Sequence, residues 1–353
     1  MLFKPTKMNF SNSLINWYLQ NKRSLPWRNT KNPYEIWLSE IILQQTKVAQ
    51  GLPYYELFIS TFPTVFDLAN APEEKVLKLW QGLGYYSRAR NLHFTAKYIV
   101  DEFNGVFPSN FHDLLKLKGV GEYTAAAIAS FAYDEPVAVV DGNVFRVLSR
   151  FFAIELDISE LKTKKEFQKL AQSLLPISDA ANFNQAIMEF GALQCVPKNP
   201  ECYICCFNSK CGAFQTNKVK NLPIKLKKTK VVKRYFNYLI LSDVNDNFVV
   251  KKRISKGIWF NLYEFPLIEE FEETDIENTI VEIKKLRFES NKPIKITLLN
   301  DEYIKHKLSH QDLHIRFFKL TFKEKLIQAE SLSKIKEYPF PIVIHNFIEA
   351  NFL

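Results

Sequence analysis

The cysteines are the feature of this sequence that most constrains its fold. All five lie in one short loop of a 353-residue chain, and Cys206 stands outside the spacing of the others. The remaining four follow the pattern C-x6-C-x2-C-x5-C: Cys195, Cys202, Cys205 and Cys211. The N-terminal segment has no apolar run like that of a signal peptide, so we expect a reducing compartment in which disulfides are rare. Thiols grouped in this way then indicate a bound metal or metal cluster.

The spacing of the four cysteines favours an iron–sulfur cluster. Structural zinc sites usually show two C-x-x-C pairs, whereas this loop has one such pair and longer outer spacings. The pattern therefore favours a [4Fe–4S] cluster held by four thiolates, with tetrahedral zinc as the alternative and Cys206 as a bystander. The chain has no second cysteine set and no flavin or nicotinamide fingerprint. We therefore expect the cluster to serve a function that is carried elsewhere in the chain.

The charge balance indicates a polyanionic partner. The formal net charge is +9 and the pI is about 9.1, which favours nucleic acid first and an acidic membrane surface second. No apolar segment is long enough to span a bilayer. With 47% hydrophobic residues the chain is globular, and we expect a soluble intracellular protein.

Residues 9–217 have the three- and four-residue apolar spacing of helices. Asn32 followed by Pro33 predicts the start of one helix, with Asn32 as its N-cap. Glu40 lies on that helix, and most of its neighbours at three and four residues are apolar. Burial there raises a carboxyl pKa towards values useful for a general acid. The alternative is a glutamate at the edge of an amphipathic face.

Two further stretches predict contacts with a phosphate backbone. Residues 114–133 predict a helix ending near Lys118, a turn at Gly119 and Gly121, and an alanine-rich helix beginning by Tyr123, which is typical of a helix-hairpin-helix. An ordinary turn between helices is the alternative. In the second stretch, Asp141 precedes a helix and is either its N-cap or a carboxylate at the mouth of a site.

Six stretches together resemble one family, the MutY-type adenine DNA glycosylases of the endonuclease III-like helix-hairpin-helix superfamily. They are LPWR at 25–28, NPYEIWLSEIILQQT at 32–46, GLGYYSRARNL at 82–92, LKGVGEYTAAAI at 117–128, VDGNVFRVLSR at 140–150 and the cysteine loop. The resemblance implies hydrolysis of an N-glycosidic bond after the target base has left the duplex stack. Glu40 is the implied general acid, which protonates adenine at N7, and Asp141 is the implied stabiliser of the oxocarbenium-like sugar. Tyr123 and Asn143 are implied supporting polar groups.

The resemblance also implies contacts with the base and with the DNA stack. Arg28 and Gln185 match positions that meet the adenine edge. Gln45 and Tyr85 match residues that push into the stack, although a solvent-facing helix residue and a packing residue are the respective alternatives. Tyr123 occupies the position where endonuclease III has a lysine that attacks the sugar. A phenol cannot form that Schiff base, so we expect a monofunctional enzyme.

The C-terminal region changes character after a basic segment at 218–234. YFNYLILS, a DVNDN turn and FVVKKRI predict a strand hairpin at 235–254, followed by a helix near 273–287 and a further strand at 313–322. This region resembles the MutT-like (Nudix-like) domain of the same family, but it has no REUxEE-type metal-binding run, so we do not expect nucleotide hydrolysis. Leu308, Ser309 and His310 match the loop that reads 8-oxoguanine, with leucine in place of an aromatic residue. A polar turn between strands is the alternative.

These observations predict a multidomain protein. A mainly helical helix-hairpin-helix glycosylase region at 1–217, with its iron–sulfur loop at 195–211, precedes a basic linker at 218–234 and an α/β MutT-like domain at 235–353. Its expected substrate is duplex DNA with adenine opposite 8-oxoguanine or guanine, and we expect a monomer in the bacterial cytoplasm. A glycosylase of the same fold that removes thymine opposite guanine, and a non-catalytic DNA-binding iron–sulfur protein, are the alternatives. One departure from the family pattern is Lys118, where the hairpin usually has proline; a lysine there offers a phosphate contact.

Overall fold

A computed structural model describes residues 7–226, 230–286, 288 and 292–352. The chain divides into two compact units, one made of residues 1–70 and 91–227 and the other of residues 71–90 and 228–353. The segment 71–90 therefore belongs with the C-terminal part of the chain. The domain limits expected from the sequence, at 217 and 235, remain a prediction.

The first unit is helical, as predicted, and its helices owe their positions to local capping. Asn32 accepts a hydrogen bond from the Tyr34 amide (3.0 Å) and so begins the second helix beside Pro33. The helices are α1 (Lys7–Asn21), α2 (Pro33–Leu43), α3 (Val48–Thr61), α4 (Val65–Asn70), α5 (Glu73–Leu79), α6 (Ser87–Phe103), α7 (Phe111–Leu114), α8 (Glu122–Tyr133), α9 (Gly142–Phe151), α10 (Leu161–Leu174), α11 (Ala180–Leu193) and α12 (Gly212–Gln215). Of these, α5 and the first residues of α6 belong to the second unit. A core built on α1, α9, α10 and α11 buries the apolar faces of these helices.

The hairpin before α8 differs in one respect from the prediction. The helix expected to end near Lys118 ends at Leu114, because the following residues form i→i−3 turns: the Leu117 amide bonds the Leu114 carbonyl (3.1 Å). Gly119 has φ of 81°, and a Cβ there would lie 2.8 Å from the Cβ of Asn91. Only glycine fits this left-handed position so close to α6.

The second unit is built on a mixed sheet. Its strands are β1 (Val232–Ser242), β2 (Phe248–Val249), β5 (Leu267–Glu270), β6 (Lys295–Leu298), β7 (Ile304–Lys307), β8 (Gln311–Thr321) and β9 (Ala329–Glu330), and β3 (Lys251–Lys252) pairs separately with β4 (Tyr263–Glu264). The long strands β1 and β8 are parallel neighbours at its centre. The helices are α13 (Ile276–Lys285), α14 (Leu332–Ile335) and α15 (Ile342–Phe352).

The two faces of the sheet are covered by different helices. Ile283 of α13 packs with Leu239 and Phe318, while Phe347 of α15 stacks on Phe317 at 3.6 Å between ring centroids. Ser242 pairs with Phe248 across the predicted hairpin, and the helix predicted near 273–287 is α13. In the part of the chain that the structure describes, no helix is long and apolar enough to cross a membrane.

Candidate active site

Glu40 is a buried carboxyl group on α2. It is 6% exposed, and burial raises its pKa to about 7. A hydrogen bond from the Tyr123 hydroxyl opposes this increase, the charge of Asp141 adds to it, and the charge of Arg28 opposes it. The apolar neighbours seen in the sequence therefore do enclose this side chain, and it is not a glutamate at a solvated helix edge.

Three helices bring the polar groups of this site together. Tyr123 lies in the first turn of α8 and hydrogen-bonds to Glu40, and burial raises the pKa of its phenol well above the usual value. Asp141 is the N-cap of α9: it accepts hydrogen bonds from the Val144 amide (2.8 Å) and from Asn143 Nδ2 (2.7 Å). Burial raises the pKa of Asp141, and these hydrogen bonds oppose the increase. Asp141 is therefore the predicted N-cap, and its charge also acts on Glu40. Its place at the mouth of a site stays a prediction.

Arg28 is held by an ion pair that the sequence analysis missed. Its guanidinium makes two hydrogen bonds to Glu189, at 2.9 and 2.8 Å, and Glu189 also binds Arg23. Glu189 is 1% exposed; burial alone would raise its pKa, but the two arginines lower it to about 2. The Arg28 guanidinium lies over the Tyr18 ring, whose hydroxyl donates to Gln185 Oε1 (3.4 Å). One network thus joins the two residues expected at the adenine edge.

The sequence did carry a signal for Glu189. It lies four residues after Gln185 on α11, on a helix whose other residues near it are largely apolar. A carboxylate on such a helix requires a cation, and Arg28 was already a candidate residue. Nothing in the sequence, however, indicates that a segment more than 160 residues upstream supplies it.

The remaining candidates of the first unit lie in turns. Gln45 follows the end of α2 in the left-handed conformation, with φ of 57°, and its side chain is exposed. It is therefore not a helix residue. Gly119 and Gly121 flank Val120 in the hairpin, and Gly121 is the residue before the first turn of α8, where free amides favour a phosphate.

The cysteine loop encloses a cavity. The side chains of Cys195, Cys202, Cys205 and Cys211 line it together with Arg150, while Cys206 is exposed and does not line it. Arg150 donates to the Val196 carbonyl (2.8 Å), the Pro197 carbonyl (3.0 Å) and Cys195 Sγ (3.4 Å), and the Phe207 amide donates to Cys205 Sγ (3.4 Å). The loop is therefore folded around the four sulfurs, with donors directed at two of them.

The four thiols that line this cavity provide the donor set of an iron–sulfur cluster. Among the described residues, no three cysteine, histidine or carboxylate side chains lie close enough to hold one metal ion. Zinc needs four ligands at about 2.0–2.3 Å from one point. A cluster of several iron atoms takes one thiolate at each iron, and the four cysteines that line the cavity supply that number.

A second candidate site lies in the unit formed by residues 71–90 and 228–353. Tyr85 is 45% exposed and left-handed, with φ of 48°, and its hydroxyl hydrogen-bonds to the hydroxyl of Ser309. Leu308, Ser309 and His310 form the turn between β7 and β8, as the alternative interpretation expected. Together with Tyr85 and Trp259 they line a cavity of about 470 Å³.

Two family models and two solved structures define the class of protein. Residues 38–173 match the HhH-GPD superfamily of base excision DNA repair proteins, and residues 237–350 match the NUDIX domain. A thermostable thymine-DNA glycosylase is 28% identical, with a TM-score of 0.55, over 60% of this chain and 97% of that one. Endonuclease III in a non-covalent DNA complex has the same fold at 23% identity, with a TM-score of 0.53, over 60% of this chain and 98% of its own. The chain is thus a helix-hairpin-helix glycosylase joined to a Nudix-like domain.

Curated relatives make the assignment more specific. The adenine DNA glycosylase of Buchnera aphidicola subsp. Baizongia pistaciae (strain Bp) is 38% identical over 311 residues, covering 88% of this chain and 85% of its own. The adenine DNA glycosylase of Homo sapiens is 45% identical over 215 residues, covering 58% of this chain and 39% of its own. This chain belongs to the MutY-type adenine DNA glycosylase family, and its enzyme class is that of the DNA N-glycosylases.

Proposed function

We propose that this enzyme hydrolyses the N-glycosidic bond of adenine paired with 8-oxoguanine or guanine in duplex DNA, as a monofunctional glycosylase of base excision repair. The observation that carries the proposal is the burial of Glu40 near Tyr123 and Asp141, which raises its pKa to about 7. A carboxyl group with that pKa is substantially protonated at neutral pH and can donate a proton. The target base leaves the stack to reach it.

Glu40 and Asp141 have different proposed roles in the reaction. Glu40 donates its proton to N7 of the flipped adenine, which makes the base a better leaving group. Departure of the base leaves positive charge on the sugar, and the Asp141 carboxylate stabilises it. The amide of Val144 and the side chain of Asn143 bind one oxygen each of Asp141 and so favour its charged form.

Tyr123 supports the monofunctional assignment. Its phenol remains protonated at physiological pH, because burial and the two carboxylates raise its pKa. It therefore holds Glu40 by a hydrogen bond and has no amine with which to attack the sugar. Strand cleavage is then left to alkali or to another enzyme.

Recognition of the base rests on the Arg28 network. Arg28 and Gln185 are the proposed contacts with the adenine edge, and the ion pair with Glu189 fixes the orientation of the guanidinium. Gln45 and Tyr85 are the proposed wedges that enter the stack. Both have the left-handed backbone that non-glycine residues rarely adopt, and such strain clusters at functional sites.

The cavity beside Tyr85 is the proposed reader of 8-oxoguanine. Ser309 offers a hydroxyl and His310 a ring for the oxidised base, and Leu308 wedges against it without aromatic stacking. The Tyr85 hydroxyl orients Ser309 through their hydrogen bond. The cavity has the volume expected of a small-molecule site.

The four cysteines of the loop are the proposed ligands of a [4Fe–4S] cluster. When bound, the cluster would supply four iron–thiolate bonds that close the loop around it. Arg150 opposes the negative charge of the thiolates and holds the loop backbone in place. We propose further that the protein acts as a monomer on duplex DNA in the bacterial cytoplasm.

Single-turnover base release tests the proposed substrate. Three duplexes carry adenine opposite 8-oxoguanine, adenine opposite guanine and thymine opposite guanine, and alkali is applied to half of each sample. We expect cleavage only after alkali, fastest for adenine opposite 8-oxoguanine. Release of thymine, which the likeness to a thymine-DNA glycosylase makes the second candidate, would overturn the substrate assignment. Cleavage without alkali would overturn the monofunctional assignment.

In the same experiment, the Ser309→Ala variant tests whether this residue recognises 8-oxoguanine. We expect it to lose most of the preference for 8-oxoguanine over guanine while still releasing adenine opposite guanine. An unchanged ratio of the two rates would remove Ser309 from the recognition of 8-oxoguanine.

A further inference from the structure

The hairpin before α8 carries an exposed cation that the described catalytic groups do not use. Lys118 directly precedes Gly119, and its side chain is exposed. Its Nζ lies 4.1 Å from the centroid of the Phe94 ring on α6, a short cation–π contact. Within the described residues, no carboxylate forms an ion pair with it.

The backbone of Lys118 is fixed as well as its side chain. The Thr95 hydroxyl donates to the Lys118 carbonyl (2.8 Å), and Gly119 lies directly against Asn91. Phe94, Thr95 and Asn91 are all on α6, so one helix holds both the turn and the lysine. Phe94 itself is 50% exposed, which leaves the ammonium in contact with solvent.

We propose that Lys118, positioned by the Phe94 ring, binds a DNA phosphate beside the hairpin amides. This inference rests on the proposed function, because it concerns how the same enzyme binds its duplex. An ammonium group has three donors, and the ring occupies one side of it, which leaves the other side for a phosphate oxygen. The ring also restricts a side chain that otherwise loses rotamer entropy when it binds.

The salt dependence of binding to a short undamaged duplex tests whether the Lys118 ammonium neutralises a phosphate. Each phosphate neutralised on B-DNA contributes about −0.9 to the slope of log K against log[salt]. Raising the salt from about 50 to 200 mM weakens binding by some factor. We expect that factor to be about 3.5 times smaller for Lys118→Ala than for the unaltered protein. Lys118→Arg should restore the slope of the unaltered protein.

A second variant tests the role of the ring. Phe94→Ala keeps the charge, so we expect the slope to stay the same while affinity falls about two- to fivefold, the value of an exposed cation–π contact. Lys97→Ala is the matched control, since it removes an exposed lysine from the helix that carries Phe94. Among the described residues, the cation over the Phe94 ring is Lys118.

Three results would overturn the proposal. One is an unchanged slope in Lys118→Ala, and another is an equal change in Lys97→Ala, which would indicate only the general charge of this surface. The third is unchanged affinity in Phe94→Ala, which would remove the positioning role of the ring. Because this duplex carries no mispair, the salt test does not depend on base release. Failure of the proposed glycosylase function would appear separately, as absence of base release from the mispaired duplexes.

Discussion

The Glu40→Gln variant is expected to release adenine about 10²–10⁴ times more slowly than the unaltered enzyme, because it cannot donate a proton to the leaving base. Glutamine keeps the shape of the side chain and a carbonyl that can accept the Tyr123 hydrogen bond. Binding to the mispaired duplex should therefore be retained. Single-turnover base release and duplex binding, measured on the same preparation, separate the two effects.

The pH dependence of the reaction follows from the same residue. In its proposed role as the acid, Glu40 acts only when it is protonated, and burial raises its pKa to about 7. The rate should fall at low pH, where Asp141, whose pKa is also raised, becomes protonated. It should fall about tenfold per pH unit well above pH 7, where Glu40 loses its proton. The Glu40→Gln variant should lack this fall. A wild-type rate that stays constant to pH 9 would rule out Glu40 as the acid.

Stability offers an independent measurement on Glu40. The pKa of the carboxyl is raised in the folded state, so the folded protein binds a proton more tightly than the unfolded chain does. The free energy of unfolding then falls as pH rises from the unfolded pKa near 4.5 through about 7, by about 3 kcal/mol. Glu40→Gln removes this fall, so the variant should gain stability relative to the unaltered protein at pH 8 but not at pH 4.

Glu35→Gln is the matched control for these experiments. Glu35 lies on the same helix and accepts a hydrogen bond from Asn32, at the exposed N-terminal end of α2. Its substitution should leave both the rate and its pH dependence unchanged. Equal losses in the two variants would show that carboxylates on α2 act through the stability of the helix.

The Glu189→Gln variant is expected to lower the free energy of unfolding by about 3–5 kcal/mol, the effect of removing one partner from a buried ion pair. The Arg28 side chain is 10% exposed and would be left with its charge uncompensated. Denaturant unfolding at pH 7 measures the difference, provided that the free energy of unfolding depends on denaturant concentration with the same slope in both proteins. Glu155→Gln is the control: its pair with Lys218 is exposed, so about 1 kcal/mol or less should be lost.

The contribution of Glu189 to the free energy of unfolding changes with pH in the opposite direction to that of Glu40. Its pKa is lowered to about 2, so its contribution to stability is complete above the unfolded pKa and is lost as pH falls from about 4.5 towards 2. The difference between Glu189→Gln and the unaltered protein should therefore shrink in that range. A difference independent of pH would show that the loss comes from packing and not from the ion pair.

Local signals in the sequence predicted the local features of the fold. Asn32 with Pro33 and Asp141 with its following helix are capping signals that act within three residues, and both caps are present. The apolar spacing around Glu40 indicated a partly desolvated carboxyl group but also fitted the edge of an amphipathic face; the structure shows that the side chain is buried. The prediction of where the helix before the hairpin ends was wrong, because i→i−3 turns have no distinct sequence pattern.

Contacts between distant segments could not be predicted in this way. Tyr85 and Ser309 are 224 residues apart and form a hydrogen bond, yet each looked like part of an ordinary turn. Glu189 and Arg28 are 161 residues apart. Only the fold shows which cation compensates which carboxylate, because many pairs of opposite charge are compatible with one sequence.

Arg146 has a consequence for how preparations of this enzyme will behave. Its guanidinium donates to the Cys195 carbonyl (2.7 Å), to the Gly191 carbonyl (2.6 Å) and to Asn143 Oδ1 (2.8 Å). Opening of the cysteine loop would remove one of the backbone carbonyls that hold Arg146, while the Gly191 carbonyl on α11 remains. The support of Asn143 would therefore weaken when the loop opens. If the loop binds the proposed cluster, a sample that has lost part of it should be a mixture of intact and impaired molecules. The amplitude of single-turnover base release should then fall, while the rate constant of the intact molecules is unchanged. The specific activity of a batch would report how the sample was handled rather than how well its active site works.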